Sequence, residues 1–77
     1  MDISKSLGDL VREMREANGQ TQEQVSGSGG MCNRHYQDIE GGKTMPSLDM
    51  VFKVARGLGT EADKLITPLW QAWKSEA

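Results

Sequence analysis

An all-α domain is what this sequence predicts, on three observations. Apolar residues recur at helical spacing, helix-starting and helix-stopping residues punctuate the chain, and no stretch alternates apolar with polar as a half-buried strand would. Ile3, Leu7, Leu10, Val11 and Met14 fall on one face of a first helix, expected over Ser4–Ala17 and stopped by Asn18-Gly19. Thr21-Gln22-Glu23-Gln24 forms a capping box, in which the Thr21 hydroxyl accepts from the Gln24 backbone N–H while the Gln24 side chain reaches back. A second helix therefore starts firmly, with Val25 as its buried anchor. The run Ser26-Gly27-Ser28-Gly29-Gly30 follows. Each interior glycine costs about 1 kcal/mol against alanine, so this helix is expected to be short or frayed.

A third helix begins near Asn33 and ends at Gly41-Gly42. Cys32, Tyr36 and Ile39 share one face, while Asn33, Arg34, Gln37 and Asp38 share the opposite one. Ser47 caps a fourth helix, with Asp49 in the favourable first turn. Leu48, Val51, Phe52, Ala55 and Leu58 make the core face of that helix, and Gly59 terminates it. Residues 61–66 are expected to form a short fifth helix with Leu65 and Ile66 inward. Thr67-Pro68, a good N-cap and N1 pair, then sets off a further terminal helix over Leu69–Glu76.

Bulk properties narrow the function. A chain of 77 residues makes one small domain, and dimerisation is a natural supplement to the stability of so small a core. Cys32 is the single cysteine and has no partner for an internal disulfide. No apolar run reaches membrane-spanning length, and Met1–Leu10 lacks the basic and apolar regions of a signal peptide, so a cytoplasmic protein is expected. Nine basic against eleven acidic side chains, a net charge of −2, argue against sequence-blind attraction to nucleic acid but leave room for a localised contact surface. No catalytic constellation, paired carboxylates or His/Cys cluster of metal-ligand spacing stands out. Neither an enzyme nor a cofactor, metal or small-molecule ligand is expected; His35 has no second histidine with which to share a metal.

Residues 7–66 resemble, without a gap, the lambda-repressor-like helix-turn-helix domain of the phage repressor, Cro and XRE type. The residues that carry the resemblance are Thr21-Gln22 opening the second helix, Gly30 in the turn, Ile39-Glu40 with Gly42-Lys43 after the third helix, and Pro46-Ser47 before the fourth. It implies a compact five-helix DNA-binding domain over residues 1–67, its second and third helices forming the helix-turn-helix, with a helical tail over 68–77. It also aligns the glycine run with the end of the second helix and the turn. These residues replace helix positions and add none, which speaks against a linker scar. No preceding strand and no Gly-Lys-Ser/Thr ending supports a phosphate cradle. Gly30 suits a turn that needs positive φ. Gly27 and Gly29 depart from the helix formers usual in the family.

The resemblance, with helical phase, places Asn33, Arg34, Gln37 and Asp38 on the face that enters the major groove. Arg34 suits guanine O6/N7, Asn33 or Gln37 suits adenine N6/N7, and Asp38 suits cytosine N4, each good pair worth roughly 1–3 kcal/mol of discrimination. Gln22 is placed to hold a backbone phosphate at the start of the second helix, and Lys43 with Thr44 to clamp another. Arg15 and Glu40 match a pair that forms a buried ion bridge in phage repressors. Cys32 stands where the family often has a serine N-cap. Two readings of the tail stay open: one tryptophan covers a fifth helix underfilled by Thr60 and Ala62, or Leu69, Trp70 and Trp73 form a two-fold dimer contact. The expected function is a sequence-specific transcriptional regulator that binds a palindromic operator in double-stranded DNA as a homodimer. The alternative is a protein-interaction or antitoxin-type module that keeps the fold with weak or no DNA binding. The acidic balance, the weakened second helix and Asp38 on the groove face speak for the alternative.

Overall fold

Helix caps set the element order. In a computed structural model that describes residues 1–76, five helices follow one another: α1 (Ile3–Ala17), α2 (Gln22–Gly29), α3 (Asn33–Glu40), α4 (Leu48–Leu58) and α5 (Asp63–Glu76). The last residue of the expected 68–77 tail lies outside the described residues. Asp2 accepts from the Lys5 N–H at 3.2 Å, which starts α1 one residue ahead of Ser4. The Thr21 hydroxyl accepts from the Gln24 N–H at 3.1 Å and Gln24 Oε1 accepts from the Thr21 N–H at 2.8 Å, completing the capping box. Ser47 does the same for α4, accepting from the Met50 N–H at 3.2 Å.

Helix α1 packs on α3 and α5, and α2 packs on α3 and α4. Leu7, Val11, Val25, Tyr36, Ile39, Val51, Val54, Ala55, Leu58 and Leu65 make one core. Orphan carbonyls at two helix ends are met by side chains from other elements. Arg56 Nη2 donates to Gly29 O at 2.6 Å, while Gln20 Nε2 donates to Gly57 O and Asn18 Nδ2 to Leu58 O, both at 3.1 Å.

Some expectations are corrected. Leu48 and Phe52 are exposed, at 60% and 49%, and do not belong to the core face of α4. That helix is apolar on two sides: Val51, Val54, Ala55 and Leu58 face inward, and Leu48 and Phe52 stand one turn apart outside. Ile66 is exposed while its neighbour Leu65 is fully buried. Cys32, expected on one face with Tyr36 and Ile39, is exposed where those two are buried; it stands at the N-cap of α3, as the resemblance implied, without a side-chain bond. Finally, Thr67-Pro68 starts no new helix. Pro68 lies inside α5, so the 61–66 helix and the terminal helix merge into one continuous element. Proline there withholds an N–H from the Lys64 carbonyl, a loss that solvent offsets because Lys64 and Pro68 are both exposed.

Helix α2 is short, at eight residues, as expected, but the glycine run does not fray. Helix α2 persists through Gly29 and ends on Gly30, whose φ of 77° is the left-handed geometry that glycine adopts without strain. The reason lies in α4. A Cβ on Gly29 would collide with the Lys53 carbonyl, and one on Gly57 with the Val25 carbonyl, so the two helices meet backbone to backbone. Gly27 faces open space and has no such role. Gly29→Ala is therefore expected to lower stability by about 1–3 kcal/mol through overpacking. Gly27→Ala should raise it by up to about 1 kcal/mol through helix propensity. Urea unfolding midpoints of the two variants check both signs.

Candidate nucleic-acid interface

Behind α3 lies a polar cluster anchored on Glu40, which is only 2% exposed. Arg15, from α1, donates through Nε to Glu40 Oε2 at 2.9 Å and through Nη2 to Oε1 at 2.8 Å, while its Nη1 reaches Gln20 O at 2.9 Å. This bidentate fork joins α1, the α1–α2 turn and the end of α3. Gln22 Nε2 adds a bond to Glu40 Oε1 at 3.2 Å, and Arg12 Nε approaches the same oxygen to 3.5 Å. Burial works against the carboxylate charge, but the Arg15 bonds, helped by Gln22, outweigh it and hold the Glu40 carboxyl below its ordinary value. Tyr36 packs against this pair. Burial foremost, and then the Glu40 charge, pushes its phenol upward in pKa, and its hydroxyl lacks a hydrogen bond of good geometry.

The opposite side of α3 is open. Arg34 and Gln37 are exposed, and Asp38 is half-buried between them and the helix end. Arg34 Nε lies 3.6 Å from Asp38 Oδ1. Gln37 Nε2 is 3.5 Å from Gln22 Oε1, which links the outer face of α3 to the first residue of α2. Asn33 is half-buried and turned toward α2, its Oδ1 3.1 Å from the hydroxyl of buried Ser26. Lys43 and Thr44 sit beyond the Gly41-Gly42 turn, which the Lys43 N–H closes onto Asp38 O at 2.9 Å; Lys43 is exposed and Thr44 half-buried. The structure thus brings together Gln22 with Gln37 and Arg34 with Asp38, turns Asn33 aside, and sets Lys43 and Thr44 apart at the helix end. Sequence reasoning passed over Arg12 and Ser26. Arg12 stands three residues before Arg15 on one helix face, a legible signal; Ser26 was hidden in a run that reads as flexible.

Leu69, Trp70 and Trp73 lie elsewhere, along an apolar groove of about 420 Å³ between α1, α4 and α5. Leu69 packs against the core, and Ile3, Met45 and Leu48 line the same groove. The two indoles stack, centroids 5.7 Å apart and planes 19° from parallel, with Lys74 Nζ 5.8 Å from the Trp70 ring centre. Neither ring is buried; each remains about half exposed.

Two helices joined by a left-handed glycine turn, the second presenting a polar face to solvent and braced from behind, define a helix-turn-helix module of the kind that reads DNA. The chain belongs to the helix-turn-helix family in its lambda-repressor-like form: the family model matches residues 11–65. It is similar to an uncharacterized HTH-type transcriptional regulator, y4dJ, of Sinorhizobium fredii, with 29% identity over 68 residues and 88% of each chain covered. Among solved structures it resembles the restriction-modification controller protein C.AhdI of Aeromonas hydrophila. The TM-score is 0.76 at 29% identity, over 80% of this chain and 94% of that one. The clp gene regulator ClgR of C. glutamicum shares the fold, with a TM-score of 0.78 at 17% identity over 91% of both chains.

Because the Glu40 carboxyl is depressed in the folded state, the stability it contributes is fully present above the ordinary glutamate value and is lost as pH falls through the folded one. Glu40→Gln leaves Arg15 uncompensated and is expected to cost about 3 kcal/mol at pH 7. Below the ordinary glutamate value, where the unfolded chain takes up a proton that the folded carboxyl still resists, the gap between parent and variant should narrow. Urea unfolding at pH 7 and pH 3 measures both.

Proposed function

We propose that this protein is a sequence-specific transcriptional regulator that binds a palindromic operator as a homodimer, with α3 in the major groove. The open outer face of α3, backed by the Glu40 cluster, is the observation that carries the reading. Arg34 supplies a guanidinium fork for guanine and Gln37 an amide for adenine. Asn33 contributes at the edge, since its oxygen is already engaged by Ser26. Gln22, at the positive end of α2, and Lys43 with Thr44, after α3, hold flanking phosphates and fix register.

The exposed apolar face supports the dimer. Met45, Leu48, Phe52, Ile66, Trp70 and Trp73 are all at least 40% exposed, and all but Phe52 line one groove. A lone soluble domain of this size rarely leaves so many large apolar side chains open together. A second copy covers them, with the tryptophans at the centre of the contact, where such residues carry most binding energy. Likeness to a restriction-modification controller over nearly all of that protein's length favours a controller-type role for the chain.

Selection from random duplexes should enrich a two-fold symmetric site. Raising salt from 50 to 200 mM should weaken binding ~100-fold, as expected if about four phosphates are neutralised. Arg34→Ala should cost about 1–3 kcal/mol and relax the preference at one base pair of each half-site. No enriched sequence and a flat salt response would place the protein among partner-binding modules instead. The double variant Trp70→Ser/Trp73→Ser should sediment as a monomer and lose operator affinity while keeping its helical circular dichroism.

A further inference from the structure

Arg34 and Asp38 stand one helical turn apart on the outer face of α3, with Asp38 Oδ1 3.6 Å from Arg34 Nε. The two side chains differ in reach. Arg34 is 80% exposed and Asp38 33%, so the carboxylate sits back on the flank of the helix while the guanidinium extends past it. Nε is the inner edge of that guanidinium. Nε is the nitrogen that approaches Asp38, and the two terminal nitrogens have no hydrogen-bond partner among the described residues. They form the end-on fork that matches guanine O6 and N7.

Helix stability does not account for this pair. The cation lies in the first turn of α3 and the carboxylate toward its C-terminal end, each at the end where the helix dipole disfavours it. An i,i+4 pair with the cation first is also the weaker order. The arrangement opposes the helix and suits a ligand. An uncompensated arginine on a groove-facing helix is drawn to every phosphate it passes. A carboxylate at its inner edge cancels much of that attraction and leaves the outward fork intact, which widens the difference between right and wrong sites.

We propose that Asp38 is a positioning residue that holds Arg34 end-on for guanine and reads no base itself. This rests on the regulator reading and replaces the cytosine contact that the chemistry of Asp38 alone suggested. A double-mutant cycle on the selected operator tests it. Affinities are measured for the parent, Asp38→Asn, Arg34→Ala and the double variant. The duplexes carry each of the four base pairs at the position that Arg34→Ala relaxes, and an unrelated duplex is added. Asp38→Asn should reduce the guanine preference about tenfold and tighten binding to unrelated DNA. In the Arg34→Ala background the same substitution should alter base preference less than about twofold. Equal loss with and without Arg34 would mean that Asp38 contacts a base directly, and full retention of the preference would mean that it has no part in it; either overturns the proposal. A parent protein that enriches no site removes the regulator reading, and this inference with it. Matching thermal unfolding midpoints show that the variants compare contacts and not folding.

Discussion

The Glu40 carboxylate sits where α1, α2 and α3 converge, and its charge is tolerated there because Arg15 meets it with two nitrogens and Gln22 with a third. A buried ion removed from one partner is far more costly than the pair is beneficial, so the cluster acts chiefly as a constraint on geometry. Arg15 can bond Glu40 and the Gln20 carbonyl together only if α1, the turn into α2 and the end of α3 keep one arrangement. The outer face of α3 inherits that arrangement. Gln37, through its contact with Gln22, is tied to the same cluster from the solvent side.

A second constraint works through the absence of side chains. Gly29 and Gly57 allow α2 and α4 to touch backbone to backbone, and Arg56 closes the junction by bonding the Gly29 carbonyl. Helix α2 therefore depends little on its own propensity. Tertiary contact holds a segment that would be weak in isolation, the usual relation between intrinsic preference and packing in short helices.

Much of the frame was legible because capping chemistry is local. The Thr21/Gln24 box, Ser47 and the glycines after α2, α3 and α4 each signal an end through residues a few positions apart. Arg15 and Glu40 needed the family resemblance, since 25 positions separate them and nothing local announces a bond. Periodicity misassigned Leu48, Phe52 and Ile66 because it detects apolar faces without telling a core from a surface awaiting cover. Gly29 was misread for the opposite reason: its value lies in the Lys53 carbonyl, which no local pattern reveals. Pro68 looked like a helix start because Thr67 precedes it, yet Leu65 had already fixed that helix in the core. On the outer face of α3, helical phase picked out Arg34, Gln37 and Asp38, but the turning of Asn33 toward Ser26 and the pairing of Arg34 with Asp38 emerged only in three dimensions.

The continuity of α5 has a mechanical corollary. Trp70 and Trp73 lie on the same continuous helix as Leu65, which is seated in the core, so the groove belongs to the domain that carries α3. In a two-fold pair formed through that groove, both reading helices would be locked at one separation and one rotational phase. Duplex DNA turns once in about 10 base pairs, so a spacer longer by half a turn would present its second half-site on the far side of the double helix. Such an assembly would measure distance as strictly as it reads letters.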